Sequence, residues 1–227
     1  MSSLRANPTE ILIPSTKSTR PWANYVLIFL NIAIFLVQVR NPGLMPRYQL
    51  NGRALSVGQF LTYAFLHVGW GHLLFNMAVL YVLGNDINLR LGQIGYVAFY
   101  LAGAVVSGLG FVLSGGKDQS MVGASGAVGA VMGAYLVLLP RSNISLFIGI
   151  AWLEVPSMYF VIIFFCYNLI MSLATGAGAQ QVAYEAHIAG MVYGFLVTTA
   201  LLMSRLLPRQ GSDLLSILKR KRTEITH

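Results

Sequence analysis

Residues 120–133 read SMVGASGAVGAVMG. Inside an apolar run, Ser125 stands between Gly123 and Gly126, and glycine returns at Gly129 and Gly133. Ser125, Gly129 and Gly133 are four apart, so on a helix they form one stripe. A second run, 184–203, carries His187, Gly190 and Gly194 at intervals of three and four, a matching stripe. Small residues on facing stripes let two helix backbones approach closely. A serine needs that approach, because its side chain is too short to meet an imidazole across an ordinary interhelical gap of about 8–10 Å.

The rest of the chain says in what solvent these helices meet. Of its 227 residues 56% are hydrophobic and only 10% are charged, with a mean hydropathy of +0.67. Soluble domains carry roughly 25% charged residues. The composition excludes an ordinary soluble domain and points to an all-α integral membrane protein built as one bundle. The single cysteine, Cys166, can form no intrachain disulfide and reads as a small core residue. No cleavable leader is expected, since residues 1–20 are polar and no small-residue cleavage site follows the first apolar run.

Six spans are expected, at about 22–39, 60–84, 94–114, 121–139, 157–174 and 184–203. They define a polar N-terminal tail (1–21), a six-helix domain (22–203) and a basic C-terminal tail (204–227). The apolar stretch 145–153 is too short to cross and reads as an interfacial or re-entrant approach to the fifth helix, with Pro156 behind it. Six spans put Arg5, Lys17, Arg20, Arg90, Arg141, Arg205, Arg209, Lys219, Arg220, Lys221 and Arg222 on one side. Arg40, Arg47, Arg53 and Lys117 fall on the other. The positive-inside rule then places both termini in the cytoplasm. The run Lys219–Arg222, which dominates the net charge of +8, reads as an anchor to lipid headgroups rather than a nucleic-acid site.

Spans two, four and six run inward from the outer face, so polar residues early in each share one depth. Such residues are functional candidates because lipid cannot satisfy them. Span two holds His67, His72 and Asn76, the last two one turn apart on one face. Span four holds Ser125 and span six His187, each about one turn in. Singly, each reads as an interhelical hydrogen-bond partner, and His67 as a cap on span two. Together they supply a nucleophile, a base to take its proton, and donors for an oxyanion from His72, Asn76 and the Ser125 N–H. No acid is placed to orient His187: Glu185 points to another face, and Asp86, Asp118, Glu154 and Asp213 fall in loops or the tail. The sequence argues for a Ser-His dyad, with no cofactor and no metal.

GASG at 123–126, HVGWGHLLFN at 67–76 and AHIAGMVYG at 186–194 together resemble the rhomboid family of intramembrane serine proteases. The likeness covers about 22–203 and is to the basic six-helix bacterial form. It implies Ser125 as nucleophile, His187 as base and acid, and His72, Asn76 and the Ser125 N–H as oxyanion stabilisers. It also implies a water-filled cavity open to the outer side, a half-embedded loop at 40–58, and lateral substrate access near span five under the loop 175–183. The expected partners are single-pass transmembrane substrates and membrane lipids, in a bacterial inner membrane. The chain departs from the family at Gly58 and Gln59, where many members have Trp-Arg. Asn88 stands where a Glu is common, two before Arg90, and Gly129 where some members stack an aromatic on the imidazole. A non-proteolytic relative that binds membrane segments is the alternative, although such proteins typically lose the serine or the histidine; a six-helix transporter leaves GASG unexplained.

Overall fold

The computed structural model describes residues 20–148, 150–175 and 182–225. Residues 1–19 of the N-terminal tail and 176–181 of the expected loop over the site lie outside the described residues. Helix α1 spans Trp22–Arg40. After it come the short α2 (Leu44–Tyr48), strand β1 (Leu50–Asn51) and α3 (Gln59–Thr62), which continues as a tight turn to Phe65. Helix α4 (Trp70–Val79) passes through a wide π turn at Leu80–Gly84 into α5 (Asn85–Leu91). Next are α6 (Gln93–Leu113), β2 (Ser120–Met121) and α7 (Ser125–Leu138). Strands β3 (Asn143–Ile148) and β4 (Ala151–Pro156) lead to α8 (Ser157–Thr175), α9 (Tyr184–Met203) and α10 (Leu214–Ile225).

Among the described residues α1, α6, α8 and α9 are long and apolar enough to cross a bilayer. The pair Gln59–Phe65 and Trp70–Leu91 makes a fifth candidate if counted as one span, although it bends by 97°. The expected second span is thus broken at 66–69, and His67 lies in that break rather than on a helix. Helix α7 is apolar but has only 14 residues, about 21 Å at 1.5 Å per residue. It begins at Ser125, so the serine opens the helix instead of sitting one turn inside it.

Two further expectations are corrected, at Asp86 and Cys166, and two segments gain a structure. The stretch 145–153, expected as an approach to the fifth helix, lies in an antiparallel hairpin of β3 and β4 that leads into α8, with Asn143 opposite Pro156 and Ile148 opposite Ala151. Asp86 lies on α5 and accepts a hydrogen bond from Tyr135 Oη at 2.9 Å. Cys166 is exposed rather than in the core. The C-terminal tail carries α10, capped by Asp213, whose Oδ1 accepts from Ser216 N at 2.9 Å and whose Oδ2 accepts from Ser216 Oγ at 2.8 Å.

The surface is apolar where a soluble protein would be polar, with Phe29, Tyr81, Ile94, Ile163, Leu173 and Leu196 standing outward. Polar groups turn inward, among them Asn24, Asn76, Asn88, Ser107, Asn168 and Thr198. Asn24 shows how they bind helices together where lipid offers no hydrogen bonds. Its Nδ2 donates to Leu80 O at 2.7 Å and to Asn85 Oδ1 at 2.8 Å, and its Oδ1 accepts from Tyr96 Oη at 2.7 Å. One residue thereby ties α1 to the π turn, α5 and α6. Before the start of α7, β1 pairs with β2 antiparallel, Leu50 opposite Met121, and joins the first loop to the segment leading into α7.

Helices α7 and α9 pack backbone to backbone. A Cβ on Gly194 would stand 1.9 Å from Ala130 O, one on Gly133 2.1 Å from Met191 O, and one on Gly190 2.1 Å from Gly126 O. Ser107 of α6 fills the same crossing, 2.5 Å from where a Cβ on Gly126 would lie. The two glycine stripes therefore face each other. Gly194→Ala is expected to lose about 1–3 kcal/mol of stability through overpacking. Gly95→Ala on α6, where the nearest atom to a new Cβ is an ordinary 3.8 Å away, should be neutral or stabilising by up to about 1 kcal/mol. Thermal unfolding of the two variants in detergent compares them directly.

Candidate active site

The segment before Ser125 is built to present it. Gly123 has φ +126°, a left-handed conformation that a side chain would strain. Its N–H donates to Tyr63 O at 2.9 Å, and the Tyr63 hydroxyl donates to Ala104 O at 2.7 Å. The turn is thus fastened to the tight turn after α3 and to α6. Ser125 follows as the first residue of α7, where a backbone N–H has no intrahelical acceptor and is free to donate.

His187 lies in the first turn of α9 and its Nε2 is 2.7 Å from Ser125 Oγ. The close packing of α7 on α9 makes this possible: a Cβ on Gly129, one turn below the serine, would be 3.0 Å from His187 O. The glycine found in place of an aromatic there admits the α9 backbone. An aromatic face comes instead from α8, with the Phe164 ring stacked 6.1 Å from the imidazole, and Tyr184 meets it edge-on at 6.4 Å.

His72 is the third residue of α4 and projects to the same spot. A Cβ on Gly123 would be 2.8 Å from His72 Nε2 and 3.6 Å from Ser125 Oγ, so glycine here leaves room for the second histidine beside the serine. Asn76 is fully buried one turn later, and its Nδ2 donates to His72 O at 2.9 Å. An amide nitrogen carries two protons, so one remains to donate. The break in the second span sets the start of α4: Gln38 of α1 bonds both the N–H and the carbonyl of His67, fixing the chain just before the helix. The buried His67 ring stands 5.1 Å from the His72 ring, a packing support. Ser125, His187 and His72 therefore come together, with Asn76 buried one turn along α4 from His72, while Gly129, Gly133, Gly190 and Gly194 line the helix contact beneath them.

Sequence reasoning missed one residue. Asn168 of α8 is buried, and its Oδ1 lies 2.7 Å from His187 Nδ1. The available signal was an amide within the apolar run 157–174, a position where polarity is costly. Glu185 faces away, with Oε1 accepting from Ser172 Oγ at 2.8 Å. In place of a carboxylate the imidazole meets a neutral amide. Among the described residues no group of three or more His, Cys, Asp or Glu side chains is gathered to hold a metal ion.

Arg90 binds not an acid two residues before it but the segment after α9. Its guanidinium donates to Pro208 O at 3.0 Å and to Gln210 Oε1. Asn88 accepts from Asn24 N at 3.1 Å. Gln59, in the other departing position, accepts weakly from Asn51 N and Ser56 N, both at 3.4 Å, within the first loop.

The sequence profile described as "Rhomboid domain" matches residues 55–204. Rhomboid protease GluP of Bacillus subtilis (strain 168) is 27% identical over 192 residues, covering 80% of this chain and 35% of that protein. Rhomboid protease GlpG of Yersinia pestis (strain Pestoides F) is 31% identical over 150 residues, 63% of this chain and 48% of that protein. Putative rhomboid protease YdcA of Bacillus subtilis (strain 168) is 25% identical over 140 residues, 62% and 65% of the two chains. The chain thus spans between about a third and two thirds of the length of these relatives. A profile matching 150 residues that contain both glycine stripes and Ser125, His187, His72 and Asn76 means that this integral membrane protein belongs to the rhomboid family.

Proposed function

We propose that the protein is an intramembrane serine endopeptidase that uses a Ser125-His187 dyad to cut single-pass membrane proteins near the outer face. The observation that carries the reading is the 2.7 Å contact between Ser125 Oγ and His187 Nε2, held inside an apolar helical bundle. Ser125 Oγ attacks the substrate carbonyl carbon as its proton passes to His187 Nε2, and the carbonyl oxygen becomes an oxyanion. The Ser125 N–H, the His72 imidazole and the second Asn76 N–H stabilise that charge. Collapse of the intermediate expels the amine, which takes the proton from Nε2. Water, deprotonated by the same nitrogen, then releases the acyl group as a carboxylic acid and restores the serine.

The substrate backbone must be extended at the cut, because a helical segment hides its carbonyls. Segments with helix-weakening residues near their outer end fit that need. The reading includes six spans, with α7 as a short fourth, a domain at 22–203 between an N-terminal tail (1–21) and a basic C-terminal tail (204–227), and both termini in the cytoplasm of a bacterial inner membrane. Its supports are the charge asymmetry of the loops and the relatives named as rhomboid proteases.

In liposomes carrying the full chain and a single-pass test substrate, Ser125→Ala and His187→Ala should each lower cleavage by at least ~10³-fold. Cleavage that survives either change contradicts the dyad, and binding without cleavage by the wild type would favour the non-proteolytic reading. His72→Ala and Asn76→Ala should each lower kcat by roughly 10²–10³-fold with little change in KM; a change confined to KM would assign them to substrate binding instead.

A further inference from the structure

We propose that Asn168 is a positioning residue for His187, holding the imidazole in the one neutral tautomer that can act as a base toward Ser125. This rests on the dyad reading. The orientation of the Asn168 amide is set by its own helix: Nδ2 donates to Phe164 O at 2.7 Å. Oδ1 is therefore the atom turned toward His187 Nδ1, at 2.7 Å. A flipped amide would set Oδ1 against the Phe164 carbonyl oxygen, acceptor facing acceptor.

With an acceptor opposite Nδ1, that nitrogen carries the proton. Nε2 then presents its lone pair to Ser125 Oγ, 2.7 Å away. The other tautomer would face the Nδ1 lone pair with the Oδ1 lone pairs at hydrogen-bonding distance, and would leave Nε2 protonated and unable to accept from the serine. Both ring nitrogens are engaged in one arrangement only. When Ser125 gives up its proton, the resulting imidazolium donates from Nδ1 to Asn168 and from Nε2 toward the leaving group.

The same turn of α8 supplies a second restraint. Phe164 lies four residues before Asn168, hence on the same face, and its ring covers the imidazole at 6.1 Å. Edge and face of the base are both fixed by α8 rather than by the helix that carries the nucleophile. Asn168 is buried at 1% relative exposure, so water does not compete for the Nδ1 proton from that side. Being neutral, the amide orients the ring without adding a charge to the apolar interior.

The first test reads the wild type. In protein labelled with [15N]histidine, the resonances of His187 among the four histidines are identified by their loss in His187→Gln. The neutral ring should show a protonated Nδ1 and an unprotonated Nε2; the opposite tautomer overturns the proposal. Kinetics supply the second test. Asn168→Leu keeps the bulk and removes the acceptor, and should lower kcat on the order of 10–100-fold with KM within about twofold. Asn168→Asp restores an acceptor in the same place and should recover part of that loss. A Leu variant as active as the wild type, or an Asp variant no better than Leu, overturns the proposal. A wild type that cuts no substrate would count against the proteolytic reading, and the tautomer measured in that same protein would still decide the role of Asn168.

Discussion

The approach of the α7 backbone to the α9 backbone governs the rest of the molecule. In lipid there is little hydrophobic force to press two helices together, so contact must come from dispersion at short range and from polar groups that lipid cannot serve. Gly133, Gly190 and Gly194 bring carbonyl oxygens to where a Cβ would otherwise stand. At that separation a short serine side chain and a histidine meet at 2.7 Å. A residue larger than glycine at Gly133, Gly190 or Gly194 would meet the backbone of the facing helix and push apart the helices that carry Ser125 and His187.

Around the seam, each neighbouring element contributes a restraint rather than bulk. Helix α6 inserts Ser107 into the crossing and receives the Tyr63 hydroxyl on Ala104 O. The turn before α7 is held by Tyr63 O and by strand pairing with the first loop. Helix α4 starts after a sharp bend and brings His72 beside the serine, its start fixed by Gln38 from α1. Helix α8 reaches the imidazole with Phe164 and Asn168. Some of the polar groups that would be costly in lipid satisfy one another, as Asn24 does with Asn85 and Tyr96, and others stand at the serine, as His187 and His72 do.

How much of this was legible in the sequence follows from the distances over which residues interact. The glycine stripes, the serine and the histidines on α4 and α9 could be read because intervals of three and four report a helix face locally. The bend at 66–69 could not, because Leu66, His67, Val68 and Gly69 barely interrupt the local hydropathy. The hairpin at 143–156 was not legible because an apolar stretch of that length is compatible with strand or helix, and cross-strand pairing decides between them. Asn168 escaped because a lone amide in a span gives no hint of its partner. Its contact is set by where α8 packs: a neutral amide meets His187 Nδ1, where spacing along the chain offers no carboxylate.

The most direct test of the central claim is covalent labelling of the folded protein in membranes with a fluorophosphonate, which phosphonylates a serine only where that serine is activated, followed by mass spectrometric mapping. A single adduct on Ser125, absent in His187→Ala, is the expected result. Label on another serine, or label on Ser125 that persists without His187, would contradict a nucleophile activated across the α7–α9 contact.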